Sequence, residues 1–446
     1  MNFLPQIVFI SALGVASYFI SRRVGRIGAN IRLGRAIDRF DQPGKRWQSM
    51  LLIAFGQKKM FDKPLIGFLH FLIYAGFLLI NIEVLEIVLD GVLGTHRVFA
   101  GLLPSSFYAF LIGFFEFLAL GVMVSCVVFL IRRNILKVPR FWKPEMKGWP
   151  FLDANLILII EIVLMVLILS MNASDQVLQG RDFEGNHYTK TGIFAFSGLL
   201  VPFFSAIENN SVLIFMERFG WWAHILGIMA FALYVTYSKH LHIALAFPNT
   251  YFSNLKPKGA FENMPSVTKE VKLALGLIED DGSADESGKF GVKDVNDLTW
   301  KNLMDAYSCT ECGRCTASCP ANITGKKLSP RKVMMDTRDR LEEVGQYISQ
   351  GKTIEEAIAE GESLYSDRYI SKEELMACTT CNACVDACPV NIDPLSIIMQ
   401  MRQYIAMEEA DAPASWNMMF SNVENNLAPW QFPPSDRANW AEDLSK

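Results

Sequence analysis

The sequence predicts an all-α protein: a five-helix transmembrane bundle followed by a helical, cysteine-rich domain on the cytoplasmic side. Three observations carry this. Residues 1–245 contain five apolar runs of about 18 residues or more, the length a helix needs to cross a bilayer. Residues 246–446 have the composition of a soluble protein. Eight of the nine cysteines fall in two runs of one form, CTECGRCTASCP and CTTCNACVDACPV, each reading C-x2-C-x2-C-x3-C-P.

The five runs lie near 4–21, 64–89, 107–131, 151–171 and 211–238. The first has no basic stretch before it, and its arginines follow it, so it reads as a retained anchor and not a cleaved signal. A shorter apolar piece, Gly192 to Ile207, contains a proline and is expected at the outer surface. Lys and Arg in short loops set the orientation. The 22–63 loop carries eleven and the 132–149 stretch six, whereas 90–106 holds only Arg97 and 172–210 only Arg181 and Lys190. The basic loops are therefore cytoplasmic, the N-terminus is outside, and residue 239 onward is cytoplasmic. This is the topology of a multi-pass protein of the bacterial inner membrane. The net charge of −4 includes no basic domain, so nucleic acid is not an expected partner.

Histidines inside apolar spans are costly and point to function. His70 lies in the second span and His224 in the fifth. His242 follows His224 by 18 residues, which on one continuous helix is five turns and about 27 Å on a shared face. His240 would point about 160° away from that face. Histidines on facing helices of a bundle can hold haem, and His70, His224 and His242 are the candidates. The plainer alternatives are a hydrogen-bonded His224 and a basic cuff of Lys239, His240 and His242 at the headgroups. His96 and His187 fall in outer loops and Cys126 in an apolar segment, where a surface histidine and an inert thiol are expected. Glu83, Glu86, Glu116 and Glu161 also lie in the spans. Glu161, in NLILIIEIVLMVL, is the candidate for a quinone or proton site, against the alternative of a paired or protonated buried acid.

After the fifth span the chain divides into a linker (246–297), a helical domain (298–410) and a tail (411–446). DDGSADESGKFG reads as flexible. Ser329 before Pro330 predicts a helix start, and Ser371 with Glu374 a capping box. Trp416, Trp430 and Trp440 in the tail suit either docking onto another subunit or packing on their own domain. The cysteine spacing is the bacterial ferredoxin signature for two [4Fe–4S] clusters. In two-cluster ferredoxins the fourth cysteine of each run serves the other cluster. One cluster would then take Cys309, Cys312, Cys315 and Cys388, and the other Cys378, Cys381, Cys384 and Cys319. Four consecutive ligands per cluster would use the same residues.

Two family resemblances follow. PLIGFLHFLIYAGF, the His224–His242 pair and the exit YSKHLHIALAFPNTYF resemble the gamma subunit of respiratory nitrate reductase and the cytochrome b subunits of heterodisulfide reductases. CTECGRCTASCPANITGKKLSP and CTTCNACVDACPVNIDPL resemble heterodisulfide reductase subunits and the membrane-bound iron–sulfur oxidoreductases that link electron-transferring flavoprotein to menaquinone. The resemblance implies haem b held by His70 and His224 nearer the outside, with His242 serving a second haem nearer the cytoplasm. The nitrate reductase subunit has a further histidine where this chain has Met60, so the second haem would need Met60, another ligand, or be absent. It also implies a respiratory electron-transfer subunit working between menaquinone and a cytoplasmic partner. With no CCG motif here, that partner would be a CCG-type iron–sulfur subunit or a flavoprotein. Quinol oxidation toward a heterodisulfide reductase-like enzyme is the reverse reading, and a membrane iron–sulfur sensor a third.

Overall fold

The computed structural model describes residues 3–442 and 444, except 258, 262 and 280–288. Most of the predicted flexible stretch therefore lies outside the described residues. Among those described there is no strand; two isolated bridges, Arg35 to Thr299 and Tyr365 to Ile370, are the only β-type pairings.

Five helices are long and apolar enough to cross a membrane: Leu4–Ile31, Pro64–Leu93, Ser105–Asn134, Trp149–Gln179 and Asn210–Val235. Prolines in the first turn start the first, second and fourth, where a missing N–H costs nothing. Gly94, at φ 72°, closes the second in the left-handed conformation that glycine adopts without penalty. Apolar side chains such as Phe110, Phe117, Val163 and Phe215 face outward, as lipid-facing positions require. Tyr108, Ile112, Phe115, Leu164 and Phe231 fill the space between helices. The Gly192–Ile207 piece contains a short helix, Ser197–Ser205, packed on the fourth span at the end remote from the cysteine runs.

Two elements differ from the sequence expectation. The first helix does not stop near residue 21 but runs to Ile31, burying Arg23, Ile27 and Asn30. Its arginines do not end the helix because they find partners on the cysteine domain: Arg23 makes two bonds to Glu342, of 2.8 and 2.7 Å. The fifth helix, conversely, stops at Val235. A short 3-10 turn, Lys239–Leu241, and a separate helix, His242–Tyr251, follow. Side chains compete with the helical ladder here. Thr236 Oγ1 bonds back to Leu233 O at 2.7 Å, Ser238 caps the His240 N–H, and Asp153 takes Ser238 Oγ at 2.7 Å and the Lys239 N–H at 3.2 Å. His224 and His242 therefore do not share one continuous helix.

The cysteine domain is not tethered loosely. Its core runs from Val292 to Ile405 and takes in Ile27 of the first helix together with Leu241 and Ala246. Val292 and Val295 are wholly buried, so this core begins before residue 298, and the start of the expected linker is a helix packed into it. Pro330–Ser349 begins at Ser329, and the Ser371–Glu374 capping box forms reciprocally ahead of Lys372–Met376. Gly345 on the long helix lies so close to Asn30 that a Cβ would sit 2.2 Å from its side-chain oxygen.

Candidate iron–sulfur and histidine site

The two cysteine runs are built alike. Cys309 ends the helix Trp300–Ser308, and Cys378 follows Lys372–Met376. Each loop then uses two left-handed residues in matching places: Glu311 and Gly313 at φ 53° and 69°, Thr380 and Asn382 at φ 56° and 60°. Non-glycine residues adopt that conformation at a cost, and strain of this kind gathers at binding sites. In the second loop the Thr380 N–H donates to Cys378 Sγ at 3.4 Å, and past its end, after left-handed Asn391 at φ 57°, the Ile392 N–H donates to Cys388 Sγ at 3.3 Å. Such donors stabilise thiolates and tune cluster potential.

The sulfurs of the two runs intermingle. Cys315 lies in the electrostatic field of Cys312, Cys309, Cys388 and Cys384. Cys384 and Cys378 each feel Cys319. Cys319, Cys378, Cys381 and Cys384 together line one small cavity with Leu328, Leu395 and Ile398. This favours the exchange of fourth ligands over consecutive ligation. Among the described residues no three His, Cys, Asp or Glu converge tightly enough for a single ion. Cys319, Cys378, Cys381 and Cys384 instead line a space, which fits ligands that each hold a different corner of a cluster.

The histidines are placed differently from the expected pairing. His70 faces His242 with ring centres 6.4 Å apart, and His240 stands 5.5 Å from His242. His224 is buried on the fifth span against the fourth, with Nδ1 3.0 Å from Leu164 O. Each of the three candidates has Nδ1 engaged by an oxygen: Gln57 Oε1 for His70 at 3.0 Å, Leu164 O for His224, and Lys239 O for His242 at 3.1 Å. A backbone carbonyl can only accept, so Nδ1 carries the proton in His224 and His242, and Nε2 keeps the lone pair a metal needs. Two imidazoles sharing one metal, each nitrogen about 2 Å from it, have ring centres roughly 6 Å apart. The His70–His242 pair fits this; His224 has no second histidine against it among the described residues. Burial lowers the His242 pKa, and burial with the neighbouring His242 and His70 pushes His240 down to about 3. Both are neutral at ordinary pH, the state that ligates.

The two sites touch. Arg314, between Cys312 and Cys315, donates to Lys59 O at 2.8 Å and lies within electrostatic reach of His70. Lys59 Nζ donates to Cys388 O at 3.0 Å. Glu311, in the first cysteine loop, is clamped by Arg338 at 2.8 Å and by Lys239 beside the histidines. Burial would raise the Glu311 pKa, but Arg338 and Lys239 outweigh it and hold the carboxyl below its ordinary range. Lys59, Glu311 and Arg314 were not singled out from sequence. Their signal was position alone: two charges inside a cysteine run, and a lysine just before the span that carries His70. Glu161 is half-buried on the fourth span near Cys126 and makes no hydrogen bond or ion pair among the described residues, apart from both sites.

Comparison with known proteins bears on the cysteine region. Residues 308–392 match the 4Fe-4S dicluster domain. The chain is 27% identical to "Probable iron-sulfur-binding oxidoreductase FadF" of Bacillus subtilis, over 98% of this chain and 61% of that protein. It is 28% identical to the EtfAB:quinone oxidoreductase of Syntrophomonas wolfei, over 91% of this chain and 55% of that protein. A third relative, "Probable membrane-anchored ferredoxin" of Chromohalobacter salexigens, is 33% identical over 36% of this chain and 25% of its own length. The chain thus spans little more than half the length of the first two. No solved structure matches it. Its relatives are iron–sulfur oxidoreductases, and the cysteine region is a 4Fe-4S dicluster domain.

Proposed function

We propose that the chain is a membrane-anchored electron-transfer unit of an iron–sulfur oxidoreductase, working between a cytoplasmic redox protein and the menaquinone pool. The observation that carries this is the set of bonds by which Arg314, Lys59 and Glu311 tie the cysteine loops to the segments flanking His70 and His242. A fixed contact of that kind suits a resident relay and not a diffusing carrier. When bound, two [4Fe–4S] clusters and a haem b would supply carriers of single electrons. The eight cysteines would hold the clusters in crossed sets, and His70 and His242 the haem. Gln57 and Lys239 O fix the ring orientations, and the backbone donors to Cys378 and Cys388 set the charge the sulfurs can bear.

The name of the Syntrophomonas relative, EtfAB:quinone oxidoreductase, supports a quinone acceptor and an electron-transferring flavoprotein as donor. A CCG-type iron–sulfur partner is the other candidate. The tail supports a docked partner: Met418, Phe420, Trp430 and Trp440 are exposed apolar side chains. The basic loops at 22–63 and 132–149 support a cytoplasmic cysteine domain.

A reduced-minus-oxidised spectrum of membranes carrying the chain tests the reading. A b-type signal that a menaquinol analogue reduces is expected, lost in His70→Ala and His242→Ala and kept in His224→Ala. No haem at all removes the histidine assignment. A haem that ignores quinol removes the quinone.

A further inference from the structure

The end of the bundle remote from the cysteines holds a charged network that electron transfer does not use. Glu83, Glu86, Asp90, Glu116 and Asp175 are all at most 7% exposed. Arg97 is the cation among them: Nε reaches Asp175 Oδ2 at 2.5 Å, Nη1 Tyr108 OH at 3.1 Å and Nη2 Asn172 Oδ1 at 2.7 Å. His96 at the rim lies 3.4 Å from Asp175 Oδ1. One guanidinium cannot neutralise five buried carboxylates, and unpaired buried charge is strongly unfavourable. A group with more buried carboxylates than cations is a place where a proton is readily taken up.

Four of the five carboxylates have structural tasks. Asp90 accepts Thr95 Oγ1 at 2.6 Å and the N–H groups of Arg97 and Val98 at 2.8 and 3.0 Å. Glu86 accepts the Phe99 N–H at 2.8 Å and Tyr108 OH at 2.9 Å. Glu116 holds the N–H groups of Phe196 and Ser197 at 2.8 and 3.1 Å, and Asp175 pairs with Arg97. Glu83 closes no turn and caps no helix. It shares the Asn172 side chain, and its Oε1 is buried without a hydrogen-bond partner. Glu83, Glu86 and Asp90 stand at i, i+3 and i+7, one face of the second span, climbing about 10 Å toward its outer end at 1.5 Å per residue. At that end the exposed His187 ring lies 5.8 Å from His96.

We propose that Glu83, Glu86 and Asp90 form a proton ladder from the face opposite the cysteine domain, with Glu83 the inner group that exchanges protons with the quinone. This rests on the quinone reading above. Reducing a quinone adds two electrons, supplied by the donor through the cysteine domain, and two protons, which make each carbonyl oxygen a hydroxyl. Those protons leave the Glu83 carboxyl in turn and are replaced through Glu86 and Asp90.

The test uses the full chain in lipid nanodiscs, with its clusters reduced by dithionite and reoxidised in a stopped-flow mixer. Two acceptors are compared: a soluble menaquinone analogue, which needs protons, and ferricyanide, which does not. Glu83→Gln is expected to slow reoxidation by the quinone at least tenfold and leave ferricyanide unchanged. Glu83→Asp should recover part of the rate, and it reads the same split should the glutamine variant fail to accumulate. In proteoliposomes, a pH dye on the side opposite the cysteine domain should report proton uptake for the native chain and none for Glu83→Gln. A quinone rate within twofold of native overturns the ladder, as does equal slowing with both acceptors, which would mean a structural role. A native chain that reduces no quinone overturns the functional reading as well.

Discussion

Cys388 shows how much a single side chain decides here. Its sequence neighbours are the second run, yet its sulfur is within electrostatic reach of Cys312 and Cys315 of the first. Crossed ligation makes a specific prediction for iron content. Cys309→Ala and Cys388→Ala should each lose one cluster, and the double variant should lose no more than either alone. Pairing Cys309→Ala with Cys319→Ala should empty both sites. Iron analysis with low-temperature EPR reads the difference; consecutive ligation predicts the opposite pattern. The cysteines were legible in the sequence because ligand spacing survives without a fold. The placement of His242 beside His70 was not. The 18-residue spacing of His224 and His242 invited a continuous helix, and that inference failed at Thr236 and Ser238, whose hydroxyls take backbone partners. Glu83, Glu86 and Asp90 stand out in the sequence only as single acids, because their shared face emerges from the i, i+3, i+7 register of a helix.

At the level of elements, the long helix Pro330–Ser349 and the overrunning end of Leu4–Ile31 hold the two halves together. Arg23 grips Glu342, Tyr307 OH donates to Glu342 Oε1 at 2.6 Å, and Asn30 donates to Tyr307 OH at 2.8 Å. Burial would raise the Glu342 pKa, but Arg23 and Tyr307 outweigh it and hold it below the ordinary carboxylate value. A carboxyl lowered on folding contributes stability above its unfolded pKa of about 4.3 and loses it as pH falls through the lower folded value. Glu342→Gln should therefore weaken docking at pH 7 by about 2 kcal/mol, the scale of a charged hydrogen bond. Its difference from the native chain should shrink below about pH 4. Protease protection of the cysteine domain from pH 7 to pH 3 measures this, and a gap that stays constant would show that the pair does not hold the interface. The sequence could not reveal this docking: apolar runs mark where a helix can cross a membrane, not how far it continues beyond.

Across the whole molecule, the cysteine domain and the membrane bundle share a core, with Ile27, Leu241 and Ala246 packed among residues of the dicluster region. The all-α class, the five spans and the cysteine sites were readable from composition and spacing. The seam between them was not, because it is made by charged and small residues far apart in sequence, such as Arg23 with Glu342 and Asn30 with Gly345. That seam joins the two parts into one body, and electron flow across it is open to a direct test. The full chain in nanodiscs is reduced by dithionite, mixed with a menaquinone analogue and frozen at intervals for EPR. Both cluster signals are expected to decay together as quinol forms. Clusters that stay reduced in the presence of quinone, while ferricyanide still oxidises them, would contradict it.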